Sequence, residues 1–133
     1  DNRVLRHGFT YSGHPSACAA ALANLDILER EDLLARATWI GERLSDGLRD
    51  LVAESLAAEV RGEGAVWGLG MNEGVSAMAV RDEMLEHDVI PRPIAEHTVA
   101  FCPPLVIDEA DLELIISATR SALETITRKQ SHP

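Results

Sequence analysis

Between residues 33 and 51, apolar residues recur at steps of three and four, and this stripe constrains the fold more than any other sequence feature. Charged residues fill the positions between them, which predicts one amphipathic helix from Glu31 to about Glu54. Gly41 and Gly47 lie within it, and each is expected to weaken it by about 1 kcal/mol relative to Ala. The stripe that we expect to be buried consists of Leu33, Ala37, Ile40, Leu44, Leu48 and Leu51.

A second helix is predicted before this one, from Pro15 to about Arg30, with the sequence PSACAAALANLDILER. Ala is the best helix former, and Pro suits the first helical position because its missing N–H needs no partner there. Small residues also let such a helix lie close against a neighbour. Its apolar stripe is formed by Cys18, Ala21, Leu22, Leu25 and Leu28.

After residue 56 the hydrophobic period changes from helical to alternating. Leu56–Gly62 and Ala65–Met71 predict two strands, and Gly64 between them predicts an antiparallel hairpin. Thr98–Cys102 predicts an apolar third strand, which the two prolines that follow it must end. Asp88–Ile94 is predicted to be extended, because each Pro biases the residue before it away from helix.

Two further helices complete the pattern. The first is predicted for Ser76–Glu86, and its inner face consists of Ala77, Val80, Met84 and Leu85. The second begins after a capping Asp108, and its inner face consists of Leu112, Ile115, Thr119, Leu123 and Ile126. The order helix, helix, strand, strand, helix, strand, helix predicts an α/β or α+β layer, in which helices cover a small sheet of about three strands.

Composition excludes some classes of partner. The 133 residues are enough for one domain with a core, and their net charge of -10 argues against binding to nucleic acid or an anionic membrane. No apolar run reaches the roughly 18–20 residues that a membrane-spanning helix needs. Cys18 and Cys102 are expected to be buried reduced thiols, which indicates a cytoplasmic protein. Because the chain starts at Asp1 without Met or signal peptide, we expect it to come from within a longer protein.

The stretch His7–Pro15, HGFTYSGHP, runs straight into the first helix. Free backbone N–H groups and the helix dipole favour an anion at this place, and three successive hydroxyls on Thr10, Tyr11 and Ser12 add donors. The stretch is therefore a candidate phosphate or carboxylate contact. The alternative interpretation is a turn whose hydroxyls cap the helix.

Arg92 lies between two prolines in the extended stretch. A guanidinium on a stiff backbone loses less entropy when it forks a carboxylate, and such bonds contribute about 1.5–3 kcal/mol. The alternative is a solvated arginine, which is our interpretation for most of the others. Lys129 is the only lysine and lies in a polar tail, so it is a poor candidate for Schiff-base chemistry. The histidines and cysteines lack metal-ligand spacing, and no metal site is expected.

HGFTYSGHP followed by ACAAALANLDILERE resembles the class III pyridoxal-phosphate aminotransferases, the omega-aminotransferase group of fold-type I. VRGEG, VIPRPI and AFCPPLVI resemble the end of the same proteins, in the same order. The resemblance covers nearly the whole chain. It implies that residues 1–14 are the last piece of a large cofactor-binding domain, and that residues 15–133 are a linking helix and the C-terminal small domain. The Ala-rich face would then pack on the large domain and, where exposed, favour self-association.

The resemblance also implies roles for particular residues. Thr10 would bind the phosphate of pyridoxal 5′-phosphate held by the neighbouring subunit of a homodimer, and Phe9 would help to shape the active site. Arg92 is similar to the switchable residue that pairs with a substrate carboxylate and swings away for an uncharged amine. The Schiff-base lysine would lie upstream of this chain, which would therefore contain no catalytic residue.

The implied reaction moves an amino group between an amine or amino acid and a keto acid or aldehyde, and the chain without its lysine would be inactive. The sequence departs from the family in a short Gly70–Ser76 segment and in Glu96-His97, where Gly-Asp is common. Two alternatives stay open. One is a free-standing α/β binding or interaction module, and the other is aminomutase or decarboxylase chemistry on the same fold.

Overall fold

The computed structural model describes residues 8–131, and the chain forms two compact units that divide after Leu34. In the first unit, helix α1 spans Pro15–Arg30, as predicted, and Pro15 occupies its first turn. No residue of α1 is buried, so its apolar stripe is not part of a core in this chain. Cys18 is exposed with that stripe, and the prediction of a buried thiol is wrong there.

The other elements follow along the chain with short connections. They are α2 (Leu33–Ala53), β1 (Glu59–Glu63), β2 (Val66–Gly70), α3 (Ala77–Leu85), β3 (Arg92–Ile94), β4 (Thr98–Phe101) and α4 (Glu109–Ser131). Each predicted helix is present, with ends that differ from the prediction by at most a few residues. Over the residues that the structure describes, no helix is both long and apolar enough to cross a membrane.

The sheet has four antiparallel strands in the order β1-β2-β4-β3, so the prediction of three strands is wrong by one. The predicted hairpin is confirmed, since β1 pairs with β2 and Gly64 takes a φ of +52° in the turn between them. The additional strand is β3, three residues long and at the edge. Pro93 lies in its middle and lacks the N–H that a central strand would need, so an edge is where such a strand is tolerated.

One face of the sheet packs against the helices. In strands β2 and β4 that face is formed by Trp67, Leu69, Val99 and Phe101. The predicted stripe of α2 is confirmed, because Ile40, Leu44, Leu48 and Leu51 are fully buried. Thr119 of α4 is also fully buried, and its hydroxyl donates to the Ile115 carbonyl at 2.7 Å.

The inner face of α3 is predicted correctly except at one residue. Ala77, Val80 and Met84 are buried, but Leu85 is 41% exposed. Successive residues of a helix point about 100° apart, so Leu85 lies at the margin of the face that Met84 buries. Met84 takes the inner position, and its Sδ lies 3.8 Å from the Thr119 hydroxyl oxygen.

Ion pairs tie α4 to α2 and α3. Arg120 bonds to Glu54 at the end of α2, and this hydrogen bond raises the pKa of Arg120. Lys129 Nζ lies 2.8 Å from Glu83 Oε2 of α3. These pairs are partly exposed, so water screens them and each stabilises the fold by about 1 kcal/mol or less.

Candidate functional site

Arg92 begins the edge strand β3 and is exposed. It pairs in register with Ala100 of β4, so both side chains lie on the sheet face opposite Val99 and Phe101. Pro91 before it is buried, and Pro93 after it pairs with Val99. The guanidinium therefore extends from a backbone that two prolines and a strand partner hold in place.

Beside Arg92 lies a cleft of about 470 Å³ at the end of the sheet. The loop before β3, the end of β4 and the start of α4 form its walls. The apolar part of the lining includes Ile90, Phe101, Leu114 and Ile115, and the polar part includes Asp88, Cys102 and Asp111. A mostly apolar cleft with a few polar groups is typical of a small-molecule site.

Within residues 8–131, Arg92 forms no ion pair with a carboxylate. The arginines of the hairpin and of α3 differ from it, because Arg61 bonds to Glu59 and Arg81 bonds to Asp82. Arg92 therefore lies at the cleft without an ion-pair partner among the described residues, and Asp88 and Asp111 line the same cleft. A carboxylate is the natural partner for such a group.

Cys102 follows β4 directly and lines this cleft. It is a free, exposed thiol, so the prediction that it is buried is also wrong. The strand that suggested burial ends at Phe101, so Cys102 lies outside the regular sheet, just before Pro103. The side chain thus faces the cleft instead of the core.

The turn before α1 is held by two reciprocal hydrogen bonds. The Phe9 N–H donates to Ser12 Oγ at 3.0 Å, and the Ser12 N–H donates to the Phe9 carbonyl at 3.0 Å. Thr10 and Tyr11 are exposed at its tip, and Phe9 is 73% exposed. His7, the first residue of the predicted motif, lies outside the described residues.

This turn does not cap α1 through a hydroxyl. The N-cap is His14, which makes no side-chain capping bond, and the Ser12 hydroxyl bonds within the turn. The interpretation of the hydroxyls as helix caps is therefore wrong for Ser12. An exposed Thr10 hydroxyl at the tip fits one oxygen of a phosphate group, which is part of what a phosphorylated cofactor requires.

The remaining part of such a cofactor has no fitting partner among residues 8–131. A covalent link to a cofactor aldehyde needs a lysine amine, and Lys129 is the only lysine of the sequence. Its ammonium lies 2.8 Å from Glu83 Oε2 on the surface of the helices. Among the described residues, Thr10 thus offers an exposed hydroxyl to a phosphate oxygen, and the lysine is held in an ion pair. The described residues also contain no cluster of three or more metal-ligating side chains.

Arg36 contacts a wall of the cleft and was missed by sequence reasoning, because the pattern marks it only as one more arginine on the polar face of α2. Its guanidinium lies 3.9 Å from the centre of the Trp39 ring. It also donates a hydrogen bond to the carbonyl oxygen of Ile107, a residue of the cleft wall. No local signal could have found this contact, since the two residues lie 71 positions apart.

Comparison with known proteins gives a consistent result. The family model described as aminotransferase class-III matches residues 2–123. Ornithine aminotransferase 1 of Staphylococcus saprophyticus is 35% identical over 118 residues, which cover 89% of this chain and 29% of that protein. Acetylornithine aminotransferase of Mycolicibacterium smegmatis is 37% identical over 119 residues, which cover 90% of this chain and 30% of that protein.

Two solved structures show the same fold. An omega transaminase of Pseudomonas jessenii in complex with PMP matches with a TM-score of 0.81 at 33% identity, over 92% of this chain and 29% of its own. An amine transaminase of an uncultivated Pseudomonas species in its PLP-bound form matches with a TM-score of 0.82 at 36% identity, over 91% and 30% respectively. The chain thus spans about 30% of the length of these relatives.

Proposed function

The chain belongs to the class-III aminotransferases, as its sequence resemblance predicted, and from this we propose that it is the C-terminal part of a pyridoxal-phosphate-dependent transaminase. The complete protein moves an amino group between an amine or amino acid and a keto acid or aldehyde. Residues 15–133 serve as its linking helix and small domain, and residues 1–14 as the last piece of its large domain. The observation that carries this proposal is the cleft beside Arg92, whose charge is unpaired within residues 8–131.

In this proposal Arg92 binds the carboxylate of the substrate. The prolines on either side limit the backbone freedom that the residue loses on binding. A forked, charge-assisted pair stabilises the complex by about 1.5–3 kcal/mol. The apolar lining from Ile90, Phe101 and Ile115 suits the carbon chain of an amino acid or keto acid. A donor without a carboxylate loses the contribution of Arg92 and retains that of the lining.

Thr10 and Phe9 act on the cofactor side. The Thr10 hydroxyl donates a hydrogen bond to the phosphate of the cofactor that the neighbouring subunit of a homodimer holds. Phe9 helps to shape the same active site. The support for this part is the exposed turn, which presents Thr10 at its tip. Pyridoxal phosphate, when bound, supplies the electron sink for the chemistry at the substrate carbon. In this proposal the chain positions the cofactor phosphate through Thr10 and the substrate carboxylate through Arg92, and it moves no proton itself.

The 133-residue chain is proposed to be inactive without the rest of the protein, because its one lysine is ion-paired on the surface. The complete enzyme is proposed to work in the cytoplasm, where thiols such as Cys18 and Cys102 stay reduced. The matched relatives bear the names of ornithine and acetylornithine aminotransferases. An amino acid with a carboxylate and a second amine is therefore the first donor class to test.

The test compares the complete protein with the 133-residue chain. Each is incubated with pyridoxal phosphate, ornithine or a simple amine, and pyruvate as acceptor, and the alanine formed is measured. We expect the complete protein to form alanine in a cofactor-dependent way and the 133-residue chain to form none. A complete protein that releases carbon dioxide, or isomerises the donor without consuming pyruvate, would contradict the proposal.

A further inference from the structure

We propose that Arg36 is a positioning residue for the carboxylate-binding cleft, acting through Ile107 in the loop that forms one wall of the cleft. This inference rests on the proposed function, because it concerns the site in which Arg92 binds a carboxylate. Arg36 does not line the cleft. Its side chain reaches the far side of the wall, where the guanidinium donates to the Ile107 carbonyl.

The wall in question is the loop from Pro103 to Asp108, between β4 and α4. It has a hydrogen bond of its own, because the Ile107 N–H donates to the Pro104 carbonyl at 3.0 Å. The Ile107 side chain is buried, and Ile107, Pro103 and Pro104 all line the cleft. Two contacts therefore hold this loop in place. One is the burial of the Ile107 side chain in the core, and the other is the hydrogen bond from Arg36 to the Ile107 carbonyl.

The geometry of α2 holds Arg36 in place. Trp39 follows it by three positions and Arg43 by seven, so the three side chains share one side of the helix. The guanidinium carbons lie 3.9 Å (Arg36) and 5.6 Å (Arg43) from the centre of the Trp39 ring. Stacking on an aromatic ring orients a guanidinium and lowers the entropy that it loses in donating a hydrogen bond.

Arg43, on the same side of α2, holds the start of α4 by an ion pair. Its Nη2 lies 3.0 Å from Glu109 Oε1, in the first turn of that helix. Asp111, Leu114 and Ile115 of α4 line the cleft. Side chains of one helix thus hold both the loop and the helix that face Arg92. The exposed Arg43 pair is the weaker contact, because water screens it, and the partly buried Arg36 bond is the stronger one.

The experiment uses the 133-residue chain and 4-phenylbutyrate, a carboxylate with an apolar body. Binding is followed by NMR through the Nε–Hε resonance of Arg92 and the backbone amide of Ile107. The variants are Arg36→Met, Arg92→Gln and Arg49→Met. Arg49→Met is the matched control, because Arg49 lies on α2, 5.7 Å from the Trp67 ring, and bonds to Ser45 away from this cleft.

We expect Arg92→Gln to abolish binding and Arg36→Met to raise the Kd about 2- to 12-fold, the loss that one hydrogen bond implies. The Ile107 amide should shift in Arg36→Met before any ligand is added. Arg49→Met should bind like the unaltered chain at a similar Tm. An Arg36→Met chain that binds as tightly as Arg49→Met overturns the inference and leaves the role of Arg92 standing. Absence of binding by the unaltered chain overturns both.

Discussion

A Cβ atom added to Gly41 in the middle of α2 would lie 2.2 Å from the carbonyl oxygen of Gly64, in the turn of the hairpin. Helix and turn therefore meet backbone to backbone. The same carbonyl accepts a hydrogen bond from Trp67 Nε1 at 2.8 Å, so it is held from a second side and cannot move aside freely. Gly41 weakens α2 in isolation, but its missing side chain permits this contact.

Gly41→Ala should destabilise the chain. The gain in helix propensity is about 1 kcal/mol, and overpacking against a fixed carbonyl costs about 1–3 kcal/mol, so we expect a net loss. Gly47→Ala is the comparison, because its Cβ would meet the Ile116 side chain at 2.7 Å and a side chain can adjust. Urea unfolding should show a lower free energy for Gly41→Ala than for Gly47→Ala. Equal or higher stability of Gly41→Ala would refute the contact.

Asp108 caps α4, and its replacement should lower the stability of the chain more than replacement of Ser76, the N-cap of α3. Asp108 Oδ1 accepts a hydrogen bond from the Asp111 N–H at 2.8 Å, whereas the N-cap Ser76 makes no such bond. Asp108→Ala is expected to lower the free energy of unfolding by about 0.5–2 kcal/mol. Ser76→Ala should lower it by less. Thermal unfolding of both variants in one buffer decides between this order and its reverse.

Leu69 and Val66 lie on the same strand and differ in burial. Leu69 is fully buried in the core, and Val66 is 58% exposed. Leu69→Ala should cost about 2–5 kcal/mol, because it leaves a cavity between the sheet and the helices. Val66→Ala should change the free energy of unfolding by no more than about 0.5 kcal/mol, as is usual for surface substitutions. Chemical denaturation measures both, and a similar loss for the two variants would mean that the assigned faces of the sheet are wrong.

The exposed stripe of α1 should make this chain self-associate. Leu22 and Leu25 are 63% and 55% exposed, and no residue of α1 is buried. An apolar face of this kind favours contact with a second apolar surface. Sedimentation velocity over a wide concentration range should show association, and the double substitution Leu22→Glu and Leu25→Glu should weaken it. A concentration-independent monomer would count against this expectation.

Local patterns were sufficient to predict the helices and the hairpin. The stripe of α2, the Pro that opens α1 and the cap at Asp108 each depend on residues within a few positions of one another. Strand β3 was missed because Pro93 within it and Pro91 just before it suppress the strand signal, and only pairing with β4 reveals it. Burial of Cys18 and Cys102 was predicted wrongly because the pattern around a residue does not show whether a second layer covers it.

Long-range contacts of the site were beyond the sequence pattern. Arg92 could be singled out from its flanking prolines, which are local. The contact between Arg36 and Ile107 joins α2 to the distant loop between β4 and α4, so periodicity marks Arg36 only as polar. Gly41 is the opposite case. Helix propensity predicts that it destabilises α2, and its close contact with the distant Gly64 backbone explains why a glycine is needed there.

The most direct test of the proposed function is the donor specificity of the complete protein with Arg92→Gln. The value of kcat/KM is measured for an amino acid donor and for the amine that lacks its carboxylate. Arg61→Gln is the matched control, an exposed arginine on the opposite edge of the sheet. We expect Arg92→Gln to lower kcat/KM for the amino acid about 10- to 100-fold and to leave that for the amine nearly unchanged. An equal loss for both donors, or no loss for either, would contradict the assignment of Arg92 to the substrate carboxylate.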